Sequence, residues 1–411
     1  MEILYVSYDG MTDALGRSQV IPYLEGLAKL GHTIHVLSCE KKHIPEAEKA
    51  EVQENFNTHG IGWTRLVFST TPPGISKIAD IYRIVSTARK LHQKHGFQIV
   101  HCRSYIAALA GLELKKRYGV RFVFDMRGFW ANERIEGDIW NLNNPVYKLI
   151  YRYFKRKEAQ FFFHADAVIS LTHSGKKVIE DLFGKVVAAK TTVIPCCVDT
   201  RLFSSGNIKP EVLQQKKLEL GLNGCPFVLS YLGSIGTWYM THEMMLFYKK
   251  LKIRKPGARF LFISGDDPAF IKEKAMEAGL EESDIVVAKA GRKQVPLYLA
   301  LSSLSVFFIR PVFSKKASSP TKQAEIMSMG IPLVCNAGIG DTDEIMQEER
   351  AGILLENFSD EEFDKALNRI DEVLAWNPDD IRAAAIKRFS LEDGVESYHY
   401  IYMKLSDKGI A

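Results

Sequence analysis

Short runs of β-branched and aliphatic residues alternate with longer amphipathic stretches over almost the whole chain. The runs at 3–7, 33–38, 64–68, 98–102, 121–124, 167–170 and 192–194 are mostly apolar rather than strictly alternating, as in strands buried on both faces. Between them apolar positions recur at helical spacing, as at 18–30, closed by Gly31, and 78–95, closed by Gly96. Glycine readily takes the left-handed turn that ends a helix. Such repetition predicts a parallel sheet covered on both faces, a Rossmann-like α/β unit with right-handed crossovers.

The pattern breaks after Ile194. Residues 195–225 carry Pro195, Gly206, Pro210, Gly221 and Gly224 around a lysine-rich helix and read as a linker region. The alternation restarts with strands at 227–232, 259–264, 284–288, 304–309, 332–335 and 352–355. A chain of 411 residues is too long for one ordinary core, and the restart predicts two Rossmann-like domains, 1–200 and 201–391. The last helical pattern places Tyr398, Ile401, Tyr402 and Leu405 on one side and has no strand after it. It is expected to pack, over about 392–411, back on the first domain.

Composition changes this picture little. The hydrophobic fraction of 46% and charged fraction of 25% are those of a soluble globular protein,. A net charge of +5 suits an anionic substrate or membrane surface and is too small to argue for nucleic acid,. The six cysteines have no metal or disulfide spacing, which suggests a reducing compartment,. No run approaches the ~20 apolar residues of a membrane span. The expected location is the cytoplasm, peripheral at the inner face of the membrane at most. The stretch 147–157 interleaves Tyr147, Tyr151, Tyr153 and Phe154 with Lys148, Arg152, Lys155, Arg156 and Lys157. It reads equally as an interfacial helix making a peripheral membrane contact and as a core helix with a solvated basic face.

Phosphate-loop, zinc-protease, serine-hydrolase and dithiol motifs are absent,. Glu40, at the end of the second strand, stands where a dinucleotide enzyme keeps its ribose-binding acid. The first loop, 9–16, lacks the tight glycine fingerprint of that class,. The most informative stretch is 310–334, which reads strand, loop, helix, strand. Ser319 suits the N-cap and Pro320 the first helical position. Thr321, Lys322 and Glu325 then share one side of a helix that starts at a strand's carboxyl edge, where open parallel sheets bind ligands. A cation in the first turn is repelled by the helix dipole unless an anion binds there. A carboxylate one turn on can accept hydrogen bonds from vicinal ribose hydroxyls. The alternative is a surface Lys322–Glu325 pair.

These residues resemble the family 4 glycosyltransferases, retaining enzymes of the two-Rossmann-domain fold called GT-B. Residues 325–334 (EIMSMGIPLV) are similar to the family's donor signature, in which the glutamate holds the nucleotide ribose. Residues 193–203 (VIPCCVDTRLF) are similar to its interdomain segment, and 8–19 (YDGMTDALGRSQ) to its glycine-rich first loop. The resemblance covers nearly the whole chain. It implies an α/β protein with parallel sheets facing across a cleft, a UDP- or GDP-sugar donor on the second domain, and a glycan or lipid-linked acceptor on the first. Two departures stand out. Ala317 occupies the place of a second glutamate, and Gly233-Ser234 lacks the Arg and Lys that usually follow. Arg310 and Lys322 are expected to neutralise phosphate instead. The expected donor set is Gly233, Ser234, Arg310, Ser319, Thr321, Lys322 and Glu325.

On the acceptor side, Gly10, Asp13 and Gly16 form a loop whose glycines allow close backbone approach and whose helix start favours the donor diphosphate. Arg103 closes one strand. Asp125 and Arg127 follow the next, bracket a sugar and phosphate, and are the expected catalytic pair; an ordinary Asp–Arg pair is the alternative. His101 reads as structural. The resemblance implies that the leaving diphosphate takes the acceptor proton, so no protein nucleophile is needed. No carboxylate cluster suggests a metal, and no cofactor is expected. The competing readings are a catalytically silent sugar-nucleotide-binding or scaffold protein, supported by Ala317, and a sugar-nucleotide epimerase, which lacks visible acid and base residues.

Overall fold

The computed structural model describes residues 1–69 and 75–407. They form two compact units, the first made of Met1–Pro195, Lys316–Ser318 and the stretch from Leu391 onward, the second of Cys196–Lys315 and Ser319–Ser390. The chain thus leaves the first unit at Pro195, a little before the expected boundary at 200. Residues 408–411 of the expected last helix lie outside the described residues.

In the first unit the strands are β1 (Glu2–Ser7), β2 (Thr33–Glu40), β3 (Gly62–Val67), β4 (Ile99–Arg103), β5 (Arg121–Asp125), β6 (Ala167–Ser170) and β7 (Thr191–Val193). They form one parallel sheet of order β3-β2-β1-β4-β5-β6-β7. The central strands are almost wholly buried, as their continuous apolar runs require,. The helix Leu391–Asp407 lies against Ile21–Lys29 of this unit. Gly26 admits it, because a Cβ there would come within 2.6 Å of Val395.

The second unit holds β8 (Val228–Leu232), β9 (Arg259–Ile263), β10 (Ile285–Ala288), β11 (Leu304–Phe307), β12 (Leu333–Asn336) and β13 (Gly352–Leu355). Its sheet has the order β10-β9-β8-β11-β12-β13, again parallel. In each sheet the strand order reverses once, between β1 and β4 and between β8 and β11. The carboxyl ends of those strands are where doubly wound sheets leave room for a ligand.

Three local expectations need correction. The helix expected over 18–30 is two helices, Ala14–Gln19 and Ile21–Lys29, parted at Val20. Pro22, which has no N–H to continue a helical ladder, sits at the start of the second,. Residues 195–225 are not a free linker, because Val198, Phe203 and Leu222 are core residues of the second unit. Ser319 does not cap the following helix. Pro320 holds the cap position, no side chain among the described residues caps the helix, and the Ser319 hydroxyl accepts the Cys196 N–H at 3.1 Å.

Candidate functional site

The site-bearing residues fall into two groups, one in each unit. In the second unit the loop after β8 lies along the loop after β11. Tyr239 bridges Ile309, the Arg310 N–H bonds the Trp238 carbonyl at 2.9 Å, and Asn336 bonds both backbone groups of Ile309. Beside them the helix Thr321–Ser328 carries Lys322 inward. Only 7% of Lys322 is exposed. Its Nζ donates to the Tyr231 hydroxyl at 3.0 Å and stands 3.6 Å from the centre of the Tyr239 ring and 4.2 Å from that of Tyr231. The Tyr231 hydroxyl in turn donates to the Ser234 carbonyl at 2.5 Å. Gly233 has φ +113, and a Cβ there would come within 3.1 Å of Nζ. The loop can therefore close on the ammonium only with glycine at this position.

Burial pushes the Lys322 pKa well below the ordinary lysine value, with Glu325 opposing in part. Glu325, one turn on, is 6% exposed and paired with Arg292. Burial raises its pKa, and Arg292 and then Lys322 act against that rise. Thr321 opens the helix and is partly exposed, as is Ser319, whereas Arg310 and Ser234 are exposed. The structure thus brings Gly233, Ser234 and Lys322 together and places Glu325 a turn away. An uncapped helix start and a buried cation in one place suit an anion.

In the first unit Glu40 explains the glycine-rich loop. Its carboxylate accepts from the Met11 N–H (2.8 Å), the Thr12 N–H (3.2 Å), the Thr12 hydroxyl (2.6 Å) and the Ser38 hydroxyl (2.7 Å). Glu40 thus anchors the loop, and the amides of Met11 and Thr12 are committed to it. Gly10 N–H bonds Asp13 at 3.3 Å, and Lys41 pairs with Asp13 at 2.9 Å. Gly16 packs so close that a Cβ would lie 2.3 Å from the Gly10 carbonyl.

Strand register gathers the remaining residues. Tyr5 lies opposite His101, and Arg103 opposite Asp125, so period-two alternation puts all four on one face. Asp125 is 2% exposed. Its Oδ2 accepts the Tyr398 hydroxyl at 3.2 Å and lies 3.6 Å from His101 Nε2 and 3.7 Å from Arg127 Nη1. Burial works to raise its pKa, but Arg127, His101 and Arg103 outweigh that and hold it below the usual carboxylate value. Arg127 has φ +58 and Ser104, at the end of the neighbouring strand, φ +67. Left-handed non-glycine residues are uncommon and concentrate at functional sites.

A family described as Glycosyltransferase Family 4 matches residues 20–202, and one described as Glycosyl transferases group 1 matches 214–380. The chain belongs to the family 4 glycosyltransferases. No curated protein matches it. Among solved structures it is similar to sucrose-phosphate synthase from Thermosynechococcus elongatus, at TM-score 0.73 and 14% identity over 99% of both chains. It is similar to Anabaena Alr3699/HepE in complex with UDP-glucose, at 0.70 and 16% over 99% of this chain and 100% of that one. A third is WaaG, a glycosyltransferase of lipopolysaccharide biosynthesis, at 0.67 and 15% over 95% and 97%. The glycosyltransferase has the GT-B fold. Its Ala317 is fully buried in the first unit, and a Cβ on Gly175 would come within 2.9 Å of the Ala317 Cβ.

Sequence reasoning missed Arg292, Tyr231 and Tyr239 in the second unit and took Tyr398 and Tyr402 only as packing residues. Arg292 follows β10 at the same sheet edge as Gly233 and Arg310, and that position was a readable signal,. The tyrosines look like core until the cation they enclose is seen.

Proposed function

We propose that this glycosyltransferase moves a sugar, with retention of configuration, from a UDP- or GDP-sugar to a glycan or lipid-linked acceptor in the assembly of a surface polysaccharide or glycoconjugate. The observation that carries the reading is Lys322, buried against Tyr231 and Tyr239 and beside Gly233. HepE is described in complex with UDP-glucose and WaaG with lipopolysaccharide biosynthesis, which agrees with this donor class and pathway. Lys322, Arg310 and the uncapped helix start neutralise the diphosphate, with Gly233 and Ser234 closing over it and Thr321 and Ser319 flanking it. Glu325 accepts hydrogen bonds from the ribose hydroxyls in place of its bond with Arg292.

As the bond from the anomeric carbon to the diphosphate breaks, the acceptor oxygen bonds that carbon and its proton passes to the diphosphate. Arg127, and with less weight Arg103, stabilises the charge that develops. Asp125 is enclosed, so it acts by holding Arg127. The Gly10, Asp13 and Gly16 loop shapes the acceptor side. For a lipid-linked acceptor the enzyme works in the cytoplasm at the inner membrane face, and the helix Pro145–His164 supplies the peripheral contact. Among the described residues no helix is long and apolar enough to cross a membrane.

The test is release of nucleoside diphosphate from UDP-glucose, UDP-galactose, UDP-N-acetylglucosamine and GDP-mannose in the presence of EDTA. Slow turnover of one donor, undiminished by EDTA and lost in Arg127→Ala, is expected. Abolition by EDTA with rescue by Mn²⁺ would contradict neutralisation by Lys322 and Arg310. Tight donor binding with no turnover would favour a silent sugar-nucleotide-binding protein, the reading that Ala317 supports.

A further inference from the structure

The face of the first sheet that carries Tyr5, His101, Arg103 and Asp125 is covered by the last described helix, Leu391–Asp407, and two hydroxyls of that helix enter the cluster. Tyr398 donates to Asp125 Oδ2 at 3.2 Å, and the Tyr402 hydroxyl and His101 Nδ1 are 2.5 Å apart. Tyr398 and Tyr402 are 4% and 0% exposed. The helix is also held by His32, whose Nε2 lies 2.8 Å from His399 Nδ1 and whose ring meets that of Tyr402 edge-on. Among the described residues, three buried polar atoms of the cluster have no hydrogen-bond partner: Asp125 Oδ1, His101 Nε2 and Arg103 Nε. A purely structural network would be expected to satisfy such atoms.

We propose that Tyr398 and Tyr402 are positioning residues of the transfer reaction, which makes the last helix a working part of the acceptor-side site. This rests on the reading of Asp125 and Arg127 given above. Tyr398 fixes the carboxylate rotamer through which Asp125 holds Arg127, and Arg127 occupies a left-handed backbone position that its neighbours must maintain,. Tyr402 fixes the His101 ring, and His101 backs the same carboxylate. Burial raises the pKa of both tyrosines well above the ordinary value, so both hydroxyls stay protonated and able to donate.

The groups facing Asp125 are Tyr5 from β1, His101 and Arg103 from β4, Arg127 beyond β5, and Tyr398 and Tyr402 from the last helix. Of these, Tyr398 donates directly to the carboxylate oxygen. A donor to the charged form lowers a carboxyl pKa, so losing it raises that pKa. Active enzyme needs Asp125 ionised to hold Arg127, so the acid limb of the pH profile should move to higher pH.

The experiment compares full-length wild type, Tyr398→Phe, Tyr402→Phe and Asp125→Asn on the donor that wild type hydrolyses best, with melting temperature as a check on folding. The lost bond to a charged group predicts that Tyr398→Phe lowers kcat about tenfold or more with donor KM within about twofold. Its acid limb should shift upward. Tyr402→Phe should lower kcat less, by about threefold, again at unchanged KM. Wild-type kcat and pH profile in Tyr398→Phe, while Asp125→Asn is impaired, would overturn the positioning role alone. So would a loss that tracks melting temperature and leaves the acid limb in place. Wild-type turnover in Asp125→Asn would overturn the underlying reading of Asp125.

Discussion

Lys322 is a buried ammonium near the positive end of a helix, and burial is the first reason its pKa lies well below that of a free lysine. Because the folded pKa is depressed, the unfolded chain binds the proton more readily in the window between the folded pKa and the ordinary lysine value. Stability therefore rises with pH across that window, and below the folded pKa the cost of the buried charge is felt in full. Lys322→Met keeps the bulk and removes the charge. We expect it to stabilise the protein at pH 7 by about 1–2 kcal/mol, a rise of about 1–3 °C in Tm. That gain should shrink as pH approaches 10, while UDP binding weakens at every pH. Melting curves of both proteins from pH 7 to 10 check this. A variant that melts lower than wild type throughout would mean that Tyr231 and Tyr239 fully compensate the ammonium. At this scale the sequence showed part of the site. The position of Lys322 and Glu325 on one helix was legible from spacing. The tyrosine enclosure was not, because it comes from β8 and the loop after it, distant in sequence from Lys322, and for Arg292 only the place after β10 could be read, not the pairing with Glu325.

Elements were more legible than contacts. Every expected strand forms, with ends displaced by a residue or two, because a strand buried on both faces must be continuously apolar. What escaped was local competition. Pro22 parts the first helix, and Pro320 rather than Ser319 holds the next cap. The basic helix Pro145–His164 also divides on inspection. Lys155 is bound to the buried Glu158, which also accepts the Tyr105 hydroxyl at 2.5 Å, so Lys155 belongs to the fold. Lys148, Arg152 and Arg156, at successive i,i+4 positions, are exposed, beside the exposed Val146, Leu149 and Tyr153. Apolar and cationic stripes side by side suit an anionic membrane surface. Sedimentation with phosphatidylglycerol vesicles should fall as salt rises and drop further in Arg152→Glu/Arg156→Glu. Lys155→Glu should instead lower melting temperature. Equal partitioning onto neutral and anionic vesicles would contradict an interfacial role.

For the whole molecule, the two-unit α/β architecture was legible because the strand–helix pattern repeats along the chain, and the family was legible through the resemblance of residues 8–19, 193–203 and 325–334. The roles of the two units rest on a handful of side chains. The cluster around Asp125 was only half visible. Asp125 and Arg127 are neighbours in sequence, whereas Tyr398 reaches them from the far end of the chain. We infer that the second unit binds a nucleoside diphosphate through Lys322 and Glu325. Calorimetric titration of uridine, UDP, guanosine and GDP into wild type, Lys322→Ala and Glu325→Gln tests it most directly. Lys322→Ala should weaken the preferred diphosphate far more than its nucleoside, which offers no anion. Glu325→Gln should weaken both about equally, by about 1.5–3 kcal/mol, the worth of a charge-assisted hydrogen bond. Wild-type affinity of both variants for every ligand would contradict the claim and place the donor site elsewhere.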